Sequence, residues 1–217
     1  MGWWGKVIQV SQNISNYQQI PFIMKTYAEI SKDYKGKVPY GAQLETKEWN
    51  SKRSQIIHHF KNVCQNCGGE CIVTYIPKGL HSGVKFIPAI LENVTVEKQM
   101  LVPYTGEVIN YSIDEVKLVP VDNPLIPHVH HKYYFLNALA WEYPDDALIL
   151  LCHKCHFDYH KENTVPVYLD KRMVDVMECT PCSRCFGAGH FPEYNHIQNG
   201  VCFRCNGARY DELMEMK

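Results

Sequence analysis

Ten cysteines and eleven histidines stand out in this 217-residue chain. Eight of the cysteines form four C-x-x-C pairs: Cys64/Cys67, Cys152/Cys155, Cys182/Cys185 and Cys202/Cys205. Two intervening residues let one tight turn aim both sulfurs at a single ion, and zinc takes four such ligands in a tetrahedron. Four pairs therefore predict two structural zinc sites of four thiolates each. Cys71 and Cys179 are left over and read as small packing residues. Cys71 is also near enough to Cys67 to stand in as a ligand.

The histidines concentrate in residues 126–160. His130 and His131 are adjacent in a strand-like stretch, so they point to opposite sides. Residues 147–151 read as a return strand, and Cys152-His153-Lys154-Cys155-His156 opens a helix running through His160. His156 and His160 are four apart, so they share one helical face and can grip one ion. One of the adjacent pair can complete that metal site while the other faces a different reactant. The set suits phosphodiester hydrolysis: a metal neutralises the scissile phosphate and leaving oxygen, and a neutral histidine takes the proton of the attacking water.

Several elements must position these groups. Residues 46–62 predict a helix capped by Thr46, with Trp49, Ile56, Ile57 and Phe60 as its apolar stripe. Upstream, Ile20, Ile23, Tyr27 and Ile30 recur at helical spacing with Pro21 suited to a first turn, predicting a packing helix within an N-terminal segment, residues 1–45. Residues 34–41 read as a loop. Residues 72–125 change character, with short β-favouring runs at 84–87, 94–96, 100–102, 108–113 and 116–119. Turn signals such as Pro103-Tyr104-Thr105-Gly106 separate them, which predicts a small antiparallel β-subdomain. Residues 164–217 begin with an expected strand pair and end in the second cysteine module.

An apolar fraction of 46 % and a charged fraction of 21 % exclude wholesale disorder. Net charge is −1, so any nucleic-acid binding must rest on a local patch rather than a broad basic field. Residues 25–61 hold eight Lys or Arg against four Asp or Glu; residues 70–122 hold seven acids against four lysines. No apolar run approaches the ~20 residues that span a bilayer. Met1-Gly2-Trp3-Trp4-Gly5-Lys6 lacks the features of a signal peptide. The expectation is a soluble, intracellular protein with no membrane partner.

His130-His131, the return strand, Cys152-x-x-Cys155-His156 and His160 together resemble the HNH, or ββα-metal, nuclease motif. The upstream Trp49, Arg53, Ile57 and Cys64-Gln65-Asn66-Cys67-Gly68 resemble the helix and zinc knuckle that precede it in many members. The likeness covers residues 45–71 and 126–163. It implies that Cys64, Cys67, Cys152 and Cys155 share one structural zinc. It implies that His131 is the general base and that His130, His156 and His160 hold the catalytic divalent metal, for which Mg, Mn, Ni and Zn are candidates. The implied activity is cleavage or nicking of DNA. Two features depart from the family. Ala147 stands where members carry an Asn that braces the loop of the base; Asp146, or residues 141–144, would take over that role. A β-rich stretch is also inserted between the two knuckles, a candidate surface for a protein partner.

Cys182-Ser183-Arg184-Cys185-Phe186-Gly187-Ala188-Gly189 is a CxxCxGxG unit that Cys202 to Arg209 nearly repeats. Its glycines fit tight knuckle turns. The unit resembles the cysteine-rich region of DnaJ-type co-chaperones, without their His-Pro-Asp signature, and reads as a zinc ribbon using Cys182, Cys185, Cys202 and Cys205. Arg184, Arg204 and Arg209 with Phe186, Phe191, Tyr194 and Phe203 are candidates for phosphate contact and base stacking; the aromatics can equally form the module's small core. His190 and His196 are substitute ligands. The expected fold is α+β: a zinc-stabilised ββα-metal core over residues 46–163, interrupted by a β-rich insertion at about 72–125, and a C-terminal zinc ribbon. The rival reading is a catalytically inactive, zinc-scaffolded module that binds nucleic acid or protein.

Overall fold

Thr46 starts the helix that organises the core. Its hydroxyl accepts from the Trp49 N–H at 3.3 Å, and helix α3 (Lys47–His59) follows. Trp49, Ile56 and Ile57 are buried on one side of it, as the apolar stripe requires. The computed structural model describes residues 24–78, 85–191, 194 and 200–215. Before α3 lie two single turns, α1 (Tyr27–Ile30) and α2 (Tyr40–Gln43). Ile20, Pro21 and Ile23, expected in an N-terminal helix, lie outside the described residues; α1 carries Tyr27 and Ile30 and is closed by a Thr26–Glu29 capping box. The expected loop over 34–41 ends early, because α2 begins at Tyr40.

After α3 come β1 (Tyr75–Lys78), β2 (Lys85–Leu101) and β3 (Val108–Pro120), then β4 (Pro127–His131), β5 (Tyr134–Phe135) and β6 (Leu148–Cys152). Helix α4 (His153–Glu162), β7 (Val167–Tyr168), β8 (Val176–Met177) and α5 (Asp211–Glu215) complete the chain, which is mixed α+β. β4 and β6 form an antiparallel hairpin in the register His128↔Leu151, His130↔Ile149 and His131↔Leu148. Side chains alternate across it. Val129, His131, Leu148 and Leu150 face α3, and His128 and His130 face α4. β5 pairs in parallel with β7, which pairs antiparallel with β8. One core joins these parts: Trp49, Ile56, Val129, Tyr134, Tyr143, Leu148, Leu150, Val167 and, from the far end of the chain, Tyr210. The Tyr210 hydroxyl donates to the Val165 carbonyl at 2.7 Å.

The β-rich stretch differs from the expected set of short strands. β2 and β3 run as one long antiparallel ribbon from Ala89↔Pro120 to Leu101↔Val108, turning once, at residues 102–107. Asn93, Glu97 and Gln99, which fall between the expected runs, lie with Thr95 on the polar face of a continuous strand. Across it Thr95 donates to Asp114 at 2.8 Å and Ser112 to Glu97 at 2.6 Å. Val94, Val96, Met100, Ile109, Tyr111 and Ile113 share the other face, edged by the Lys98–Glu115–Lys117 ion pairs. β1 adds a third strand at the ribbon's base.

The two cysteine repeats of the C-terminal module fold alike. Cys182 N–H donates to the Arg209 carbonyl at 2.9 Å, and Cys202 N–H to the Gly189 carbonyl at 3.0 Å. Gly187 and Gly207 both have positive φ, +90° and +78°. A Cβ on Gly207 would lie 3.1 Å from the Gly41 nitrogen, so this glycine lets the module close against α2.

Candidate metal centres

The four C-x-x-C pairs come together as two clusters, grouped as the resemblance and the repeat imply. Cys64, Cys67, Cys152 and Cys155 form one group, and Cys182, Cys185, Cys202 and Cys205 the other; within each group the ligand atoms lie within 4.8 Å of one another. The knuckle at Cys64 is closed by Gly68 N–H donating to the Cys64 carbonyl and Cys64 N–H to the Gly69 carbonyl, both at 2.9 Å. Cys152 ends β6 and caps α4, its sulfur accepting from the Cys155 N–H. The Cys67 and Cys152 sulfurs are 4.0 Å apart, so the cluster ties the α3 knuckle to the hairpin and helix. In the second cluster Cys182 and Cys202 are 3.9 Å apart and Cys185 and Cys205 3.7 Å. Two four-thiol clusters of this kind are suited to structural zinc. Cys71 joins neither: it is buried beside Cys64 and Leu151, and burial with the neighbouring thiols pushes its thiol up to about 11. It acts as a packing residue. Cys179 packs at the edge of the main core.

A third cluster is made of His130, His156 and His160, again with ligand atoms within 4.8 Å. His130 comes from β4, the other two from one face of α4. Their rings sit 4.7–5.2 Å apart, centroid to centroid. Both ring nitrogens of His130 and both of His160 are buried without a hydrogen-bond partner. Burial and the neighbouring imidazoles hold His130 down to about 2; burial and Arg209 hold His160 down to about 4; His156 is also held far below its ordinary value. At neutral pH these are uncharged rings with free lone pairs, the form a divalent cation takes. The residues fit a metal: each neutral ring has one lone pair to offer a cation, and no hydrogen bond among the described residues claims that of His130 or His160.

His131 turns the other way. It is 1 % exposed and stacks on Trp49, ring centroids 5.4 Å apart, among Tyr40, Tyr134 and Tyr143. Its Nε2 is 2.9 Å from the Ala140 carbonyl. A carbonyl only accepts, so Nε2 carries the proton and Nδ1 the lone pair. The Tyr40 hydroxyl is 3.3 Å from Nδ1 and donates to it. Burial holds this imidazole down to about 3, against the carbonyl bond, which raises it. A cavity of about 280 Å³ is lined by His128, His130, His131, His156, Arg53 and Tyr40, and therefore meets both faces of β4.

The loop between β5 and β6 carries the Ala140 carbonyl; of the two expected braces, residues 141–144 take part and the Asp146 side chain does not. The Asp146 carboxylate is exposed and makes no hydrogen bond or ion pair among the described residues; the residue offers its backbone carbonyl to Lys132 at 2.7 Å. Within 141–144, Glu142 accepts from the Leu139 N–H at 2.9 Å, and the Tyr143 hydroxyl accepts from the Phe135 N–H at 2.9 Å. Asp145 meets Lys52 at 2.5 Å and Gln55 at 2.8 Å. The deepest brace is Gln43, 1 % exposed, whose Oε1 accepts from the Ala140 N–H and whose Nε2 donates to the Val38 carbonyl, each at 3.0 Å.

Sequence reasoning missed Gln43, Tyr40 and His128. His128 lies two residues before His130 on the same strand face, so period-two alternation could have found it. Its Nδ1 is 3.3 Å from His156 Nδ1. With the proton on His156, His128 accepts, and His156 Nε2 is left for the cation. His190 lies near His128, ring centroids 6.1 Å apart, rather than in the cysteine cluster; His196 lies outside the described residues. Phe186 and Phe203 are exposed, whereas Phe191 packs on the second cysteine cluster. No helix among the described residues is long and apolar enough to cross a membrane. Compared with protein-family models, with curated proteins and with solved structures, the chain has no match in any of the three.

Proposed function

We propose that this protein is a metal-dependent endonuclease of the HNH type that hydrolyses phosphodiester bonds, with DNA as substrate. One observation carries the reading. The orphaned nitrogens of His130 and His160 converge with His156 on one side of β4, while the next residue, His131, is fixed as a single tautomer on the other. His130, His156 and His160 would hold a divalent cation, which would supply Lewis-acid stabilisation of the phosphate and leaving oxygen. His131 keeps its Nδ1 lone pair for the proton of the attacking water, and the Ala140 carbonyl stabilises the charge the ring then gains. Water reaches Nδ1 by displacing the Tyr40 hydroxyl. Arg53, in the same cavity and bonded to the Pro127 carbonyl at 2.9 Å, is placed to contact a phosphate. The two cysteine clusters hold structural zinc, because so small a hairpin-and-helix unit buries little apolar surface alone. The ribbon, with its acidic bias, is unsuited to a phosphate backbone and serves in this proposal as a protein-docking element.

The occupied Nδ1 of His131 favours a second reading, in which the same scaffold binds nucleic acid without cutting it. Supercoiled-plasmid nicking by zinc-loaded protein separates the two. With Mg, Mn, Ni or Zn added, wild type nicks and His131→Ala is slower by about 10²–10⁴-fold. Equal nicking by both would remove His131 from the chemistry, and nicking by neither while both bind DNA would favour the binding module.

A further inference from the structure

Arg209 differs from Arg53: Arg53 donates to the Pro127 carbonyl, whereas two nitrogens of Arg209 have no partner. Lys52, Arg172 and Arg204 each meet a carboxylate. Arg209 is 8 % exposed, and no carboxylate among the described residues pairs with it. Its Nε and Nη1 are buried without a partner. The guanidinium carbon lies 3.5 Å from the Tyr134 ring centroid and 3.8 Å from that of Tyr40, so two aromatic faces hold the cation but neither neutralises it. The backbone adds a second peculiarity. Arg209 has φ +76°, and the matching position of the first cysteine repeat is Gly189, with φ +74°. A left-handed backbone disfavours any side chain, yet the second repeat carries arginine where the first uses glycine.

The residue forms part of the wall of a cavity of about 490 Å³ between residues 34–40, β5 and the C-terminal module. Lys35, Lys37 and Arg204 line it too, and no Asp or Glu among the described residues does. Arg204 is neutralised by Asp211, at 2.5 and 3.0 Å, which leaves three free cations. Burial, and then the Arg209 charge, lower the proton affinity of Lys37, whose ammonium donates to Asn137 at 3.0 Å. Tyr34 and Phe135 supply aromatic surface in the same wall.

We propose that this cavity binds the phosphate of a nucleotide, free or at the end of a strand, with Arg209 as its seat and Lys35 and Lys37 at its mouth. A planar guanidinium matches phosphate oxygens, and the volume suits a mononucleotide. The cavity is distinct from that of the histidine centre, with Tyr40 and Tyr134 as their shared wall, and the proposal stands whether or not that centre cuts.

The test is calorimetric titration of zinc-loaded full chain with inorganic phosphate, adenosine 5′-monophosphate, and one short oligonucleotide in 5′-phosphorylated and 5′-hydroxyl forms. Parallel titrations of His160→Ala exclude binding at the histidine centre. Wild type and His160→Ala bind phosphate and the mononucleotide alike. Arg209→Gly, whose glycine suits the left-handed backbone, binds about tenfold or more weakly. Should that variant fail to fold, the surface double variant Lys35→Gln/Lys37→Gln decides, with an expected several-fold loss. Preference for the 5′-phosphorylated strand over the mononucleotide makes the ligand a strand end; the reverse makes it a free nucleotide. Absence of binding to wild type at millimolar concentrations, or affinity unchanged in the variants, would overturn the proposal.

Discussion

His131 and Gln43 show how single side chains set the chemistry available here. Folding keeps His131 neutral by burying it among aromatic rings, at about 3 against an ordinary 6.5. Its contribution to stability is therefore complete above about pH 6.5 and is lost as pH falls toward 3, because the unfolded chain takes up a proton the folded chain refuses. The melting temperature of zinc-loaded wild type should fall more steeply between pH 6.5 and 5 than that of His131→Phe, which fills the same space without a proton site. Parallel slopes would contradict this account of His131. Among the described residues, Gln43 alone bonds both the Val38 carbonyl and the Ala140 N–H. Gln43→Leu strands both groups in the interior and should lower stability by about 2 kcal/mol or more in urea unfolding. It should also slow cleavage, since the Ala140 carbonyl that orients His131 loses its support. Neither Gln43 nor Tyr40 was legible in the sequence. Their partners lie 97 and 91 residues away, and nothing local about a glutamine or a tyrosine announces such a contact. The C-x-x-C pairs and the His156/His160 pair were legible because turn and helix geometry is local.

At the scale of elements, the hairpin β4–β6 and helix α4 do the positioning. Two-residue alternation on β4 sends His130 to the metal cluster and His131 to the core, as the adjacent pair in the sequence already required. The β2–β3 ribbon was legible as antiparallel β but not in its length. A free-standing ribbon needs no apolar residue at every second position, so its polar stretches looked like turns; only the Pro103–Gly106 segment is one. Ile90, Met100, Ile109 and Tyr111 are exposed on one face and Leu91, Leu101 and Val108 on the other. A ribbon so exposed contributes little to the core. Replacing residues 93–116 by an Asn-Gly turn between Glu92 and Lys117 should leave zinc content and melting temperature near wild type. A large loss of stability would show that the ribbon supports the core.

For the whole molecule, two four-thiol clusters suited to zinc and one shared core replace a large apolar interior. Cys64, Cys67, Cys152 and Cys155 lock α3's knuckle to the hairpin, and Tyr210 of the C-terminal module enters the core that His131 belongs to. That long-range closure was not legible in a sequence read as successive modules. Cys152→Ser should remove one of two tightly held zinc ions and, because Cys152 also caps α4, loosen the helix carrying His156 and His160. Metal analysis and far-ultraviolet circular dichroism would read both effects. The proposed function makes the histidine centre a third, working metal site. Plasmid nicking should be followed against added Mn²⁺ or Ni²⁺ with both zinc sites already filled, in wild type and in His160→Ala. The rate should rise with metal and saturate in wild type, and stay near background in His160→Ala of equal stability. Nicking that ignores added metal, or none when the three histidines demonstrably hold it, would contradict the account.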